Sequence, residues 1–171
     1  MDATEVWLRR ITYAAAAIGG AAVLLMLVLV TANIVLRPFG GTVRGVVEAG
    51  GCLCALGIGL CMPAAQMTGS HITAGLWLSA LPRPAQSAQK GAGSLLCALL
   101  LFLVSRELFG VAEYALDTGE AIEGFGISSC GMAAGFALGI GLHGALFLHA
   151  FLRLFVPAFS MHPANGTREG P

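Results

Sequence analysis

Between positions 11 and 36 the chain runs for 26 residues without one charged side chain. A helix over that stretch rises about 39 Å, and roughly 20 mostly apolar residues suffice to cross a bilayer. Three comparable runs follow, over residues 45–67, 91–116 and 127–155. Charge enters them only at Glu48, at Arg106, Glu107 and Glu113, and at Arg153. Four such runs in 171 residues leave almost no chain for a water-facing domain. Composition agrees, with 57% of residues hydrophobic and 11% charged, where soluble domains carry about 25% charged residues. Nine basic residues balance nine acidic ones, and no basic run exceeds Arg9-Arg10. Nucleic-acid binding and intrinsic disorder are excluded on that ground.

The expected fold is therefore all-α: an integral membrane four-helix protein, with residues 1–156 as a single membrane domain. Arg9 and Arg10 before the first run resemble the front of a signal peptide. A cleavable apolar core is about 7–15 residues long and is followed by small residues; this one is longer and ends in Leu36-Arg37-Pro38. It reads as a retained first span. Residues 71–81 are too few to cross, and Trp77 followed by Pro82-Arg83 suits a short interfacial segment between helices 2 and 3. Residues 157–171 read as a flexible cytoplasmic tail. Loop cations set the orientation. Arg9, Arg10, Arg83, Lys90, Arg153 and Arg168 fall on one side, and only Arg37 and Arg44 on the other. Both termini are thus expected in the cytoplasm.

The five cysteines are odd in number, mostly inside apolar runs and without a C-x-x-C pair, so they read as small packing residues. Gly131, Gly135 and Gly139 repeat at four-residue spacing, as do Gly51, Ala55 and Gly59. Such lines place glycines on one helix face and allow close backbone approach. They predict a packing seam toward a neighbouring helix, in this chain or another.

Charges at membrane depth are costly, which singles out Arg106, Glu107 and Glu113. Counted from Lys90, Arg106 lies about 24 Å along its helix, past the midplane and within snorkelling reach of the outer interface. Glu113 follows on the same face. A structural pair at the outer boundary is expected, with an ion or proton relay as the sharper alternative. In the first loop, Arg37 and Arg44 stand near Glu48, which opens the second helix. An arginine clamping that carboxylate would fix a helical hairpin. His143 and His149 are six positions apart and face different ways, so they cannot share one metal. No catalytic residue, metal site or cofactor is expected.

Asn33-Ile34-Val35-Leu36-Arg37, the Gly40-Gly41 loop, Glu48 at the head of span two, and His71-Ile72 before an interfacial segment together resemble a known family. It is the small integral membrane subunit, of DctQ type, of tripartite ATP-independent periplasmic (TRAP) transporters. The likeness covers nearly the whole chain in length and span count, and in motif terms rests on Arg37, Glu48, His71 and Ile72. It implies a non-enzymatic role: scaffolding a large TRAP permease subunit during sodium-coupled uptake of an organic acid, such as a C4-dicarboxylate. It also implies a periplasmic solute-binding protein as a partner, membrane lipids around the chain, and residence in the bacterial inner membrane. Arg37, Glu48, His71, Ile72, Arg106 and Glu113 become candidate subunit-contact or hairpin-clamp residues. The competing reading is a haem- or quinone-binding membrane anchor of an oxidoreductase, using His143 and a histidine of another subunit.

Overall fold

Helices form over all four apolar runs. The computed structural model describes residues 3–68 and 82–155. In it α1 is Ala3–Leu36, α2 is Val46–Met67, α3 is Arg83–Thr118 and α4 is Cys130–Phe155. All four are long and apolar enough to cross a membrane. Among the described residues the only β pairing is an isolated bridge between Ala121 and Ser128. The chain is all-α, as the runs predict. The interfacial segment expected at 71–81, with His71 and Ile72, and the tail at 157–171 lie outside the described residues.

Hydropathy marks the membrane-compatible part of each helix rather than its ends. The first helix begins at Ala3, before its apolar run, because nothing from Glu5 to Arg10 interrupts helical hydrogen bonding. The third begins at Arg83, after an extended Pro82 at the cap and with Pro84 supplying the fixed φ of a first turn. Its other end stops at Gly119, whose left-handed backbone lets its amide reach back to the Ala115 and Leu116 carbonyls. Pro63 sits buried inside α2 without ending it, as neighbouring helices permit.

The spatial order differs from the chain order. Helix α1 packs on α2, α2 on α4, and α4 on α3, while α1 and α3 share no extensive interface. Their extensive interfaces thus run in single file, with α2 and α4 inside, and α1 reaches α4 directly through one ion pair near the chain ends. Only 11% of the α1 span and 17% of the α3 span is buried, against 44% for α2 and 33% for α4. Both chain ends of the helical array lie at one end, called here the terminal end. The loops 37–45 and 119–129 form the opposite, loop end.

Close approach holds the file together. A Cβ on Gly139 would run into the Gly59 carbonyl and lie 2.9 Å from the Leu60 amide, and one on Gly135 would lie 2.5 Å from Leu56. The seam expected in the fourth span is therefore internal, between α4 and α2. Gly131 does not belong to it, having nothing within 4 Å of a built Cβ. Gly51, on the matching line in α2, is open in the same way. Across the α3–α4 contact, the buried Ser105 hydroxyl donates to the Ala137 carbonyl at 2.8 Å, and Gly141 leaves room for it. All five cysteines are free thiols.

Candidate functional site

At the loop end the two connections lock onto each other through backbone and one carboxylate. The N–H of Val43 donates to Asn33 Oδ1 at 3.0 Å, which closes the first loop over the end of α1. Glu48 Oε2 accepts the Glu123 N–H at 3.0 Å from the second loop. Gly45 (φ 74°) lies hard against the Glu123 carbonyl, and Gly124 (φ 79°) against that of Arg44; a Cβ on Gly124 would sit 2.6 Å from that oxygen. Both positions need the left-handed backbone and the missing Cβ at once. Ile122, buried between them, anchors the second loop.

The arginine clamp expected on Glu48 does not form. Arg37 opens the short 3-10 turn Arg37–Phe39 and is exposed. It lines one shallow cleft of about 260 Å³ with Asn33, Glu48 and Glu123, and neither Arg37 nor Arg44 pairs with Glu48 among the described residues. A backbone N–H in the first turn's vicinity satisfies the carboxylate at less entropic cost than a long arginine side chain.

The charges of α3 lie deeper than counting along the sequence suggested. Gly19 of α1 meets Gly57 of α2. Nine residues from that level, about 13.5 Å of helix rise, stand Arg10 at one end and Glu48 at the other. Together they bracket a slab close to the roughly 30 Å of a hydrocarbon core. Gly139 touches Gly59, and Ser105 bonds Ala137, so Ser105 stands near the middle of the slab. Arg106 and Glu107 stand beside it. Arg106 Nη1 and Glu107 Oε1 are 3.5 Å apart, with side chains 81% and 79% exposed. Arg106 thus pairs with its neighbour at mid-depth rather than with Glu113 at the outer boundary. Glu113 lies about 10.5 Å further along the helix, also exposed. The pattern missed Glu107 as the partner. Its adjacency to Arg106 was the available signal.

At the terminal end, Arg153 of α4 forms an ion pair with Glu5 of α1. The pair borders a cleft of about 380 Å³ that Arg9, Gln66 and His149 also line. Arg9 lies over the Tyr13 ring, 5.6 Å from its centroid. His143 is 3% exposed and meets Phe147 edge-on at 5.2 Å between ring centroids. Buried to that extent, it does not present a ring nitrogen at the protein surface, where iron shared with another subunit's histidine would sit, which weighs against the haem-anchor reading. Among the described residues no group of three or more His, Cys, Asp or Glu could hold a metal ion.

Four long apolar helices, a polar latch at one end and an ion pair at the other define an integral membrane protein. Residues 26–157 match the family described as the DctQ component of tripartite ATP-independent periplasmic transporters. The match spans well over half of the chain, and the protein belongs to that family, a transporter component rather than an enzyme. No curated protein and no solved structure matches it significantly.

Proposed function

We propose that this chain is the small permease subunit of a TRAP-type secondary transporter in the bacterial inner membrane, with both termini cytoplasmic. It supports sodium-coupled uptake of an organic acid, such as a C4-dicarboxylate, by scaffolding a large permease subunit. A periplasmic solute-binding protein delivers the substrate. Family membership supports the assignment, and the single-file helix order carries the scaffold role. A closed bundle hides its helix faces, whereas a file of four leaves two long edge helices free to broaden a neighbour. Transport sites are marked by broken half-helices that meet at mid-depth. Here all four described helices run through that level unbroken.

Within this proposal Glu48 keeps the two hairpins in register through its bond to the second loop. Arg37, exposed at the same end, Arg106 and Glu113 contact the large subunit, and His71 and Ile72 do so through the interfacial segment. The test is co-expression with the large subunit and the binding protein, followed by purification through a tag on this chain and reconstitution in vesicles. Retention of the large subunit, and sodium-dependent uptake only when all three components are present, is the expected outcome. Solute entry through this chain alone, or undiminished uptake without it, would refute the proposal. Cysteine labelling at Arg44 and at Lys90 reads the orientation: reagent outside the cell should reach the former and not the latter.

A further inference from the structure

The two edge helices of the file face their surroundings very differently. The uncovered side of α1 presents Ile18, Leu24, Leu27 and Val28 from the middle of the slab to its loop-end edge, and its run from 11 to 36 contains no charge. Lipid tails solvate such a face fully. The uncovered side of α3 presents Arg106 and Glu107 at mid-depth, both largely exposed. An arginine side chain reaches about 6 Å, less than half of the distance from there to either surface. Glutamate reaches less. Neither can escape to water by snorkelling, and the ion pair between them leaves most of their hydrogen-bonding capacity unused. Gly110 lies one turn beyond, with nothing within 4 Å of a built Cβ. A neighbouring backbone can approach closely there.

From this asymmetry we infer that the α3 face around Arg106, Glu107 and Gly110 is the docking surface for the large permease subunit. A groove between two of that subunit's helices receives it and supplies hydrogen-bonding groups at the bilayer midplane. The inference rests on the proposed function and names the edge of the file that is covered. Geometry selects a multi-span partner over a second copy. Successive helix positions diverge by about 100°, so Arg106 and Glu107 flank a ridge. Two α3 ridges meeting edge to edge touch along one line and leave one charge of each pair in lipid, whereas a groove surrounds both. The α1 edge stays in lipid.

The experiment places a photo-crosslinking benzoylphenylalanine at Leu103, one turn from Glu107, and separately at Ile18 on α1. Each tagged variant is co-expressed with the large subunit and irradiated in membranes. Expected is an adduct of this chain with the large subunit from position 103 and none from position 18. The double substitution Arg106→Leu with Glu107→Leu should lower retention of the large subunit at least about fivefold, while the chain itself keeps its helical circular dichroism. An adduct from position 18 alone, an adduct of two 17.5 kDa copies from position 103, or undiminished retention by the double variant would overturn the inference. The unsubstituted tagged chain separates the two levels. If it retains no large subunit, the proposed function fails and this inference with it; if it does and the crosslink falls on α1, only the docking face is wrong.

Discussion

Gly139→Ala is the sharpest probe of the packing that organises the fold. The added Cβ would lie 2.5 Å from the Gly59 carbonyl carbon, where ordinary contact begins at 3.4 Å. Both groups are backbone, so no side chain can swing away and α4 must retreat from α2 by nearly 1 Å. A gap of about 0.5–1 Å forfeits a quarter to a half of each dispersion well, itself about 0.1–0.2 kcal/mol. If the crossing involves about as many atom pairs as a buried leucine makes, on the order of 50, the loss is roughly 1–5 kcal/mol. Alanine's better helix propensity returns up to about 1 kcal/mol. The net destabilisation is then up to about 4 kcal/mol and centred near about 2 kcal/mol, in line with the roughly 1–3 kcal/mol usual for overpacking. Gly131→Ala, eight residues earlier on the same face, meets nothing and should be neutral or slightly stabilising. The two variants are compared by denaturant titration in mixed micelles, followed by circular dichroism. Equal midpoints, or a higher one for Gly139→Ala, would refute an internal α2–α4 seam.

Gly124→Ala and Gly126→Ala both place a side chain at positive φ, but only the former meets the Arg44 carbonyl. The former should therefore cost more than the roughly 1–2 kcal/mol of left-handed backbone that both carry, and the difference in thermal midpoint reads the loop–loop contact. Glu48→Ala should speed hydrogen exchange at the Glu123 amide about fivefold, equivalent to about 1 kcal/mol of a charge-assisted but exposed bond; Glu48→Gln, which keeps an acceptor, should do less. Ser105→Ala should cost about 0.5–1 kcal/mol, since interhelical bonds in membranes average about 0.6, and Ser105→Leu more, because Gly141 faces it. The swap Glu5→Arg with Arg153→Glu should restore stability lost in either single variant, by at most about 1 kcal/mol and less at high salt.

Span number was legible because a bilayer imposes its demand locally: enough consecutive apolar residues, whatever their neighbours. The order of the helices was not, since adjacency of α2 with α4 is a tertiary fact that no run encodes. The glycine line was legible in part. Spacing put Gly131, Gly135 and Gly139 on one face, but crossing helices touch over a limited length and then diverge, which leaves Gly131 outside. Glu48 was expected to be held by an arginine, and a search by opposite charge overlooked backbone donors. Glu123-Gly124-Phe125-Gly126, a turn with two glycines, was the available sign. Arg106 was placed too far outward because Lys90 was used as the membrane edge. Helix α3 has 36 residues, rises about 54 Å and extends well past that edge, so the ruler had the wrong origin.

The distribution of polarity across the file bears on what such a chain can do. A solute path needs polar groups converging on a shared interior. Among the described residues the interior contacts are mostly glycine on glycine and alanine, and the buried polar side chains are scattered rather than converging: a serine already bonded to a carbonyl, a histidine packed on phenylalanine, and Thr12 on α1. The charges stand at the two ends and on the perimeter of α3. Each charged residue near the centre of a spanning helix costs about 2.5–3.5 kcal/mol, so such a perimeter is stable only where something polar meets it. Apolar within and polar on one outer edge is the reverse of a conduit. It is the polarity that the proposed scaffold requires, with lipid as the solvent on one side and protein on the other.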